Sequence, residues 1–90
     1  PLYSDQGLAY VQLKQYDAAL AAYQTAIEHN PKFAPAYYNA ACAAALKEDV
    51  SAACDWLKRA IDQHPKYRLM ARHDSDFDRI RSRPCFQALL

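Results

Sequence analysis

Acidic and hydroxyl side chains alternate near the C-terminal end of the chain, in the run Asp74-Ser75-Asp76-Phe77-Asp78. Oxygen ligands at alternate positions are typical of a calcium-binding loop. Such a loop also needs a glycine at its sixth position for a sharp turn and a bidentate glutamate at its twelfth. Arg79 and Cys85 occupy those two positions. We therefore predict that the run binds no calcium and that Asp74 or Ser75 caps a helix.

The three cysteines, Cys42, Cys54 and Cys85, are odd in number and include no C-x-x-C pair. This spacing predicts neither a disulfide framework nor a zinc site. Cys42 and Cys54 stand where alanine would fit, and a buried cysteine behaves as a small apolar residue. Such usage is typical of a reducing compartment, so we expect a cytoplasmic protein that holds no metal or cofactor.

Catalytic constellations are also missing from the sequence. His29, His64 and His73 are dispersed, and no serine, cysteine or lysine lies at a helical spacing from a histidine and a carboxylate. The single glycine, Gly7, falls inside a predicted helix rather than in a phosphate-binding loop. No apolar run approaches the roughly 20 residues that a membrane-spanning helix needs. We predict that the chain is not an enzyme and does not span a membrane.

The strongest pattern lies in residues that carry no chemistry, because the chain repeats itself at a spacing of 34 residues. Identical pairs include Tyr3 with Tyr37, Ala9 with Ala43, Ala18 with Ala52, Ala19 with Ala53, Ala26 with Ala60, Ile27 with Ile61, Pro31 with Pro65 and Lys32 with Lys66. A fixed period of this length indicates stacked helix pairs. Abundant alanine and scarce glycine favour helix as well.

Four helices are expected from this repeat. The first covers about residues 2–14, and the second runs from a cap at Asp17 to about residue 28. The third opens at Pro35 and ends near residue 47, and the fourth begins at a cap formed by Asp49 or Ser51 and ends before Pro65. The inward-facing residues are predicted to be Tyr3, Gly7, Tyr10, Ala19, Tyr23, Ala26, Ile27, Tyr37, Ala40, Ala41, Ala44, Ala53, Leu57, Ala60 and Ile61.

Two features qualify this scheme. Gly7 is predicted to let the first two helices approach closely beside Tyr23. Trp56 falls outside the inward stripe, and we expect it to pack on the next unit.

From residue 66 onward the period fails, and we interpret residues 66–90 as a polar-faced terminal cap. Its inward residues are expected to be Leu69, Phe77, Ile80, Phe86 and Leu89.

These repeats resemble tetratricopeptide repeats. Tyr3, Gly7, Tyr10, Ala19, Tyr23, Ala26 and Pro31 match that family's aromatic, glycine, tyrosine, alanine, aromatic, alanine and proline positions. Gln6 replaces the usual leucine, and Ala44 replaces a tyrosine in the second unit. The run from Asp74 to Leu90 is similar to the closing segment of many bacterial arrays. The resemblance implies two repeats, 1–33 and 34–65, with capping helices over 66–90.

The implied fold is all-α, a right-handed α-solenoid of antiparallel helix pairs with a C-terminal helical cap. In such a solenoid the first helix of each pair lines a concave groove for a partner peptide or helix. The residues implied to line it are Asp5, Leu8, Val11, Gln12, Tyr38, Asn39, Cys42, Ala45 and Leu46, with Arg68, Arg72 and His73 added by the fifth helix. The predicted function is a non-enzymatic scaffold for protein–protein interaction, with Tyr38 as the main anchor.

Some members of the family grip acidic chaperone tails through five groove residues. Only Asn39 matches that set, because Ser4 and Leu8 stand where a lysine and an asparagine are needed. The resemblance therefore argues against this carboxylate clamp. Asn39 still carries amide donors and an acceptor that suit a peptide backbone.

Charge is distributed unevenly along the chain. Residues 1–63 hold five basic and seven acidic side chains, for a net charge of −2, whereas residues 64–90 hold six basic and three acidic ones, for +3. The alternative function is therefore binding of an anionic ligand or nucleic acid. It would use Arg68, Arg72, Arg79, Arg81 and Arg83. We rank it below protein binding, because solvated arginines on a cap explain the same charge.

The number of repeats bears on how the chain assembles. A stable array usually needs three or more repeats, and this chain has two. Leu2, Ala9 and Leu13 would meet a preceding helix in a longer array. We therefore expect upstream repeats in the parent protein, and self-association of the fragment through the face of its first helix or marginal stability.

Overall fold

The computed structural model describes residues 2–90, with side chains from residue 3 onward, and this part of the chain is helical without any strand. The helices are α1 (Leu2–Gln12), α2 (Tyr16–His29), α3 (Ala34–Leu46), α4 (Val50–Gln63), α5 (Lys66–His73), a 3₁₀ helix (Ser75–Ile80) and α6 (Pro84–Leu89). Short connections place successive helices side by side. The all-α helical-repeat prediction is confirmed.

The first helix of each pair ends in the same turn. Lys14 has φ 60° and Glu48, 34 residues later, has φ 63°. In both turns the next amide reaches back five residues, from Gln15 to the Tyr10 carbonyl and from Asp49 to the Ala44 carbonyl. This is the hydrogen-bonding pattern of a Schellman motif with a left-handed residue after the helix. The motif ends α1 at residue 12, two residues before its predicted end.

The second helices of the two pairs begin differently. Asp49 caps α4 by accepting a hydrogen bond from the Ala52 amide, which decides between the two expected caps. The predicted cap at Asp17 is wrong, because α2 already begins at Tyr16 and has no side-chain cap. Asp17 lies in the first turn of α2 and pairs with Lys47 at the end of α3.

Gly7 marks the closest approach of α1 and α2. A Cβ atom added there would lie 2.4 Å from Cε1 of the Tyr23 ring. The Tyr23 ring is wholly enclosed. The predicted role of Gly7 is confirmed. Tyr3 and Tyr10, also expected to face inward, are exposed.

α3 is the central helix of the molecule, with ten of its 13 side chains buried. It packs against α2, α4 and the 3₁₀ helix. Seven of those ten residues are alanines, and such small side chains let neighbouring helices pack closely on several sides. Trp56 is half-buried and packs against two clusters, that of Ala19, Tyr23 and Ala40 and the main core that includes Tyr37 and Tyr67.

The terminal cap closes over α3 and α4. Phe77, Ile80 and Phe86 are buried as predicted, and Leu89 packs against the same core. The prediction that Leu69 faces inward is wrong, because its side chain is 58% exposed. Tyr67 and Ala71 are the buried residues of α5, so the inward face of that helix lies two residues away from the predicted register.

Arg81 holds the cap together. Its guanidinium donates to the carbonyl oxygens of Ala71, Arg72 and Asp74 at 2.7–3.2 Å, and it also pairs with Asp78. The carbonyl oxygens of Ala71 and Arg72 lie in the last turn of α5, where no amide of the same helix is available to bond them. One side chain therefore stabilises the end of α5 and the turn that follows it.

The cysteine prediction is wrong for two of the three sulfurs. Cys54 of α4 and Cys85 of α6 form a disulfide, with their Cα atoms 6.1 Å apart, and Cys42 is a buried free thiol. The expectation of a reducing, cytoplasmic compartment rested on unpaired thiols, so it loses that support. None of the helices in residues 2–90 is both long and apolar enough to cross a bilayer.

Replacement of Gly7 by alanine should lower stability. Alanine favours a helix by about 1 kcal/mol over glycine, but forcing a methyl group into a packed core costs about 1–3 kcal/mol. The second pair carries Ala41 and Leu57 at the equivalent positions. We expect Gly7→Ala to lower the Tm and the double variant with Tyr23→Leu to recover part of the loss, as measured by circular dichroism. A Gly7→Ala chain with a raised Tm would contradict the close contact.

Loss of the disulfide should also lower stability. Cys54 and Cys85 are 31 residues apart, and closing a loop of that size contributes roughly 3–4 kcal/mol in the chain-entropy model. We expect reductant to lower the Tm of the oxidised chain by about 10 °C or more. Cys85→Ser should melt at the lower temperature with or without reductant. Equal Tm values for the wild-type chain in both conditions would show that the bond does not constrain unfolding.

Candidate partner-binding surface

Two polar side chains and one apolar side chain form a solvent-exposed stripe along α1. Asp5, Leu8 and Gln12 follow one another at steps of three and four residues, so they share one face of the helix. All three are exposed, and Leu8 leaves 46% of its surface uncovered. Val11 lies beside them and is half-buried. We call these four residues the α1 stripe.

The corresponding residues of α3, Asn39, Cys42 and Leu46, are largely covered, and so is the neighbouring Tyr38. We call these four residues the α3 stripe. Tyr38 and Cys42 are buried, and Asn39 and Leu46 are half-buried. Ala45, also expected in the groove, is fully buried. The expectation that the α3 stripe is exposed is therefore wrong for its central residues.

The chain's own 3₁₀ helix is what covers the α3 stripe. The Tyr38 ring lies 5.7 Å from the Phe77 ring and 5.0 Å from the Tyr67 ring, centroid to centroid. The Tyr38 hydroxyl donates a 2.8 Å hydrogen bond to Asp74 Oδ2. Arg79 Nη1 donates to the Leu46 carbonyl at 2.6 Å. Phe77 and Ile80 gain their burial on α3, and this apolar contact explains why the segment folds back.

The predicted arginines serve the backbone of the cap. Arg72 Nη2 donates to the Leu90 carbonyl at 2.6 Å, and Arg68 Nε donates to the Leu89 carbonyl at 3.0 Å. Arg79 and Arg81 bond backbone carbonyls as well. Four of the five arginines named for the anionic-ligand alternative thus have a structural partner, and the structure gives no such bond to Arg83 among the described residues. His73 is exposed at the end of α5.

A small polar cluster lies where the cap meets α3. Cys42 Sγ is 3.9 Å from Asp74 Oδ2, and Asp74 Oδ1 accepts a hydrogen bond from the Asp76 amide. Asp74 is therefore the N-cap of the 3₁₀ helix, as one of the two expected caps. Burial raises the pKa of the Cys42 thiol, and the charge of Asp74 raises it further. Burial and the charge of Asp74 also raise the pKa of Asp76.

Tyr38 and Tyr23 border this cluster. Burial raises the pKa of the Tyr38 hydroxyl, followed by the effects of Cys42 and of the hydrogen bond to Asp74. Burial, with smaller contributions from Cys42 and Asp76, raises the pKa of Tyr23 to about 12. The Tyr23 hydroxyl is buried and has no hydrogen-bond partner among the described residues. Both phenols stay protonated at physiological pH.

Two clefts lie outside the predicted groove. One, of about 300 Å³, opens between α1 and α2 and is lined by Tyr3, Gln6 and Tyr10 together with small residues of α2. The other, of about 660 Å³, lies beside the disulfide between α4 and α6 and is lined partly by Asp55, Lys58 and Leu89. The sequence prediction missed the second cleft because it did not pair Cys54 with Cys85.

A family model described as tetratricopeptide repeat matches residues 4–68, which include most of α1, all of α2–α4 and the beginning of α5. Comparison with curated proteins gave no match, and comparison with solved structures gave none either. The matched segment covers well over half of the chain and contains nearly all of both copies of the 34-residue pattern. The chain belongs to the tetratricopeptide repeat family.

Proposed function

We propose that this chain is a non-enzymatic module that binds a partner protein through the α1 stripe. Tetratricopeptide repeats generally mediate protein–protein interactions. The two repeats and the capping segment, over residues 1–33, 34–65 and 66–90, would act as one scaffold. The chain contributes a surface rather than a reaction centre.

The observation that carries this proposal is the contrast between the two equivalent stripes. The α3 stripe already holds a short helical turn, in which Phe77 is the apolar anchor. In the α1 stripe, Asp5, Leu8 and Gln12 correspond to Asn39, Cys42 and Leu46 one repeat later, and all three are exposed. The counterpart of Tyr38 is Ser4, which is buried. A surface geometry that binds a turn of the same chain on α3 supports binding of a turn from another chain on α1.

The chemistry of the α1 stripe indicates what kind of segment it would accept. Leu8 and Val11 offer apolar contact to one aliphatic or aromatic anchor. Asp5 and Gln12 flank them with a carboxylate and an amide, and Asn39 adds a second amide on α3. A partner turn with one apolar anchor and a basic residue on the Asp5 side would be complementary in shape and charge.

Self-association is a second proposal, supported by the uncovered apolar side chains at the other side of α1. Leu13 is 66% exposed, and Tyr3 and Tyr10 are partly exposed beside the α1–α2 cleft. Ala9 is exposed as well, whereas the side chain of Leu2 lies outside the described residues. Two copies related by a two-fold axis would bury these side chains against each other.

The partner surface can be tested with peptides selected from a random displayed library on the oxidised wild-type chain. We expect selected peptides to lose at least about 10-fold in affinity for Leu8→Asp, because a charge would replace the apolar contact. Leu69→Asp, an exposed leucine on α5, is the matched control and should bind normally. Peptides that bind Leu8→Asp and wild type equally would place the binding surface elsewhere.

Tyr38→Ala is unsuitable as a groove test, although Tyr38 was the anchor expected from sequence. Removal of a buried aromatic ring costs about 3–5 kcal/mol in stability, so lost binding would reflect unfolding. Leu8 avoids this confusion because its side chain is exposed.

The proposed dimer can be tested by sedimentation at increasing protein concentration. We expect the weight-average mass of the wild-type chain to rise with concentration and that of Tyr10→Glu/Leu13→Glu to stay at the monomer value, because like charges would meet across the axis. Leu69→Glu should behave as wild type. A wild-type chain that remains monomeric throughout would contradict self-association through this face.

A further inference from the structure

Three side chains with metal-binding atoms converge where the 3₁₀ helix meets α3. The Cys42 sulfur and one carboxylate oxygen each from Asp74 and Asp76 all lie within 4.8 Å of one another. Cys42 is buried and the two aspartates are half-buried. α3 supplies the thiol, and the residue before the 3₁₀ helix and its second residue supply the carboxylates, so the fold brings together groups that are 32 and 34 residues apart in sequence.

Neither carboxylate of the cluster forms an ion pair with a cationic side chain among residues 3–90. The ion pairs among residues 3–90 join Lys47 to Asp17, Lys58 to Asp62, Arg59 to Asp55 and Arg81 to Asp78. Neither Asp74 nor Asp76 takes part in one of them. Two carboxylates held together in a partly buried place repel each other, and such groups are stabilised by a proton or by a cation.

A second observation also points to a missing ligand. The Tyr23 hydroxyl is wholly enclosed and makes no hydrogen bond within the described part of the chain. Cys42 and Asp76 contribute to the raised pKa of this hydroxyl after burial itself, so the hydroxyl lies within electrostatic range of the cluster. A buried hydroxyl without a partner costs free energy. A water bound to a cation in the cluster would provide a partner.

We propose that Cys42, Asp74 and Asp76 bind a divalent cation of the zinc class. Zinc accepts cysteine sulfur and aspartate oxygen in a tetrahedral site, and three protein ligands leave the fourth position to water. On binding, the Cys42 thiol transfers its proton to solvent and the thiolate sulfur bonds the ion. Calcium and magnesium are disfavoured, because both prefer oxygen ligands. This site departs from the sequence-based expectation that the chain holds no metal.

The hydrogen bonds already present are compatible with such a site. Asp74 accepts from the Tyr38 hydroxyl on one oxygen and from the Asp76 amide on the other. A carboxylate has about four lone-pair directions, so Asp74 has acceptor capacity left for an ion. Tyr38 would orient the Asp74 ligand in the way that outer groups hold metal ligands. The ion would join α3 to the cap.

The test uses the oxidised chain, freed of metal by chelation, in which Cys42 is the only free thiol. Titration with Co²⁺ should give one equivalent of binding with a thiolate-to-cobalt charge-transfer band and the visible spectrum of a tetrahedral ion. Zn²⁺ should displace the cobalt and raise the Tm. Affinity should fall as the pH is lowered, because protons compete for the thiolate.

Matched variants decide whether the cluster is the site. Cys42→Ser should abolish the charge-transfer band, and Asp76→Asn should weaken Zn²⁺ binding by at least about 10-fold. Asp62→Asn, an exposed carboxylate on α4, should change neither. Circular dichroism would establish that each variant is folded. If Cys42→Ser does not fold, Asp76→Asn, which conserves side-chain shape, still tests the site. Absence of Co²⁺ and Zn²⁺ binding, or binding without the thiolate band, would overturn the proposal.

Discussion

The burial of Phe77 against α3 is the contact on which the rest of the structure depends. α3 has almost no polar surface of its own, so it must be covered on the side that α2 and α4 leave open. Phe77 and Ile80 provide that cover, and the Tyr38–Asp74 hydrogen bond fixes where the turn begins. Arg81 then fastens the turn to the end of α5. The cap is therefore part of the core of the second repeat rather than an appended tail.

The repeat pattern predicted the fold well, because packing at Gly7 and Tyr23 or at Ala41 and Leu57 follows from side-chain size and a 34-residue period. The helix caps at Asp49 and Asp74 could also be predicted from the sequence, since both are local hydrogen bonds between a side chain and a nearby amide. Leu69 failed because the helix that carries it has no second copy from which to fix its register. The correct predictions thus used either the 34-residue period or an interaction within one turn of helix, and Leu69 had neither.

The candidate surface was less predictable, because its exposure depends on a contact between residues distant in sequence. Leu8 and Tyr38 are both plausible groove residues by helical spacing, and only the position of Phe77 separates them. The disulfide was missed for the same reason, since Cys54 and Cys85 meet only once the cap is folded. On α1 the repeat correctly indicated that Asp5, Leu8 and Gln12 are exposed but wrongly placed Tyr3 and Tyr10 inward, whereas the covering of α3 required the tertiary structure.

The burial of α3 also limits how this protein can acquire new binding specificities. In a repeat array with open first helices, each unit can vary its outward residues independently. Here a larger residue at Cys42 or Ala45 would displace the cap before it met any partner, so those positions are restricted to small side chains. Among the outward positions of α1 and α3, the exposed ones that can vary without loss of the fold are Asp5, Leu8 and Gln12. Of these two helices, α1 is then the one whose surface residues mutation or laboratory selection can change without disturbing the fold.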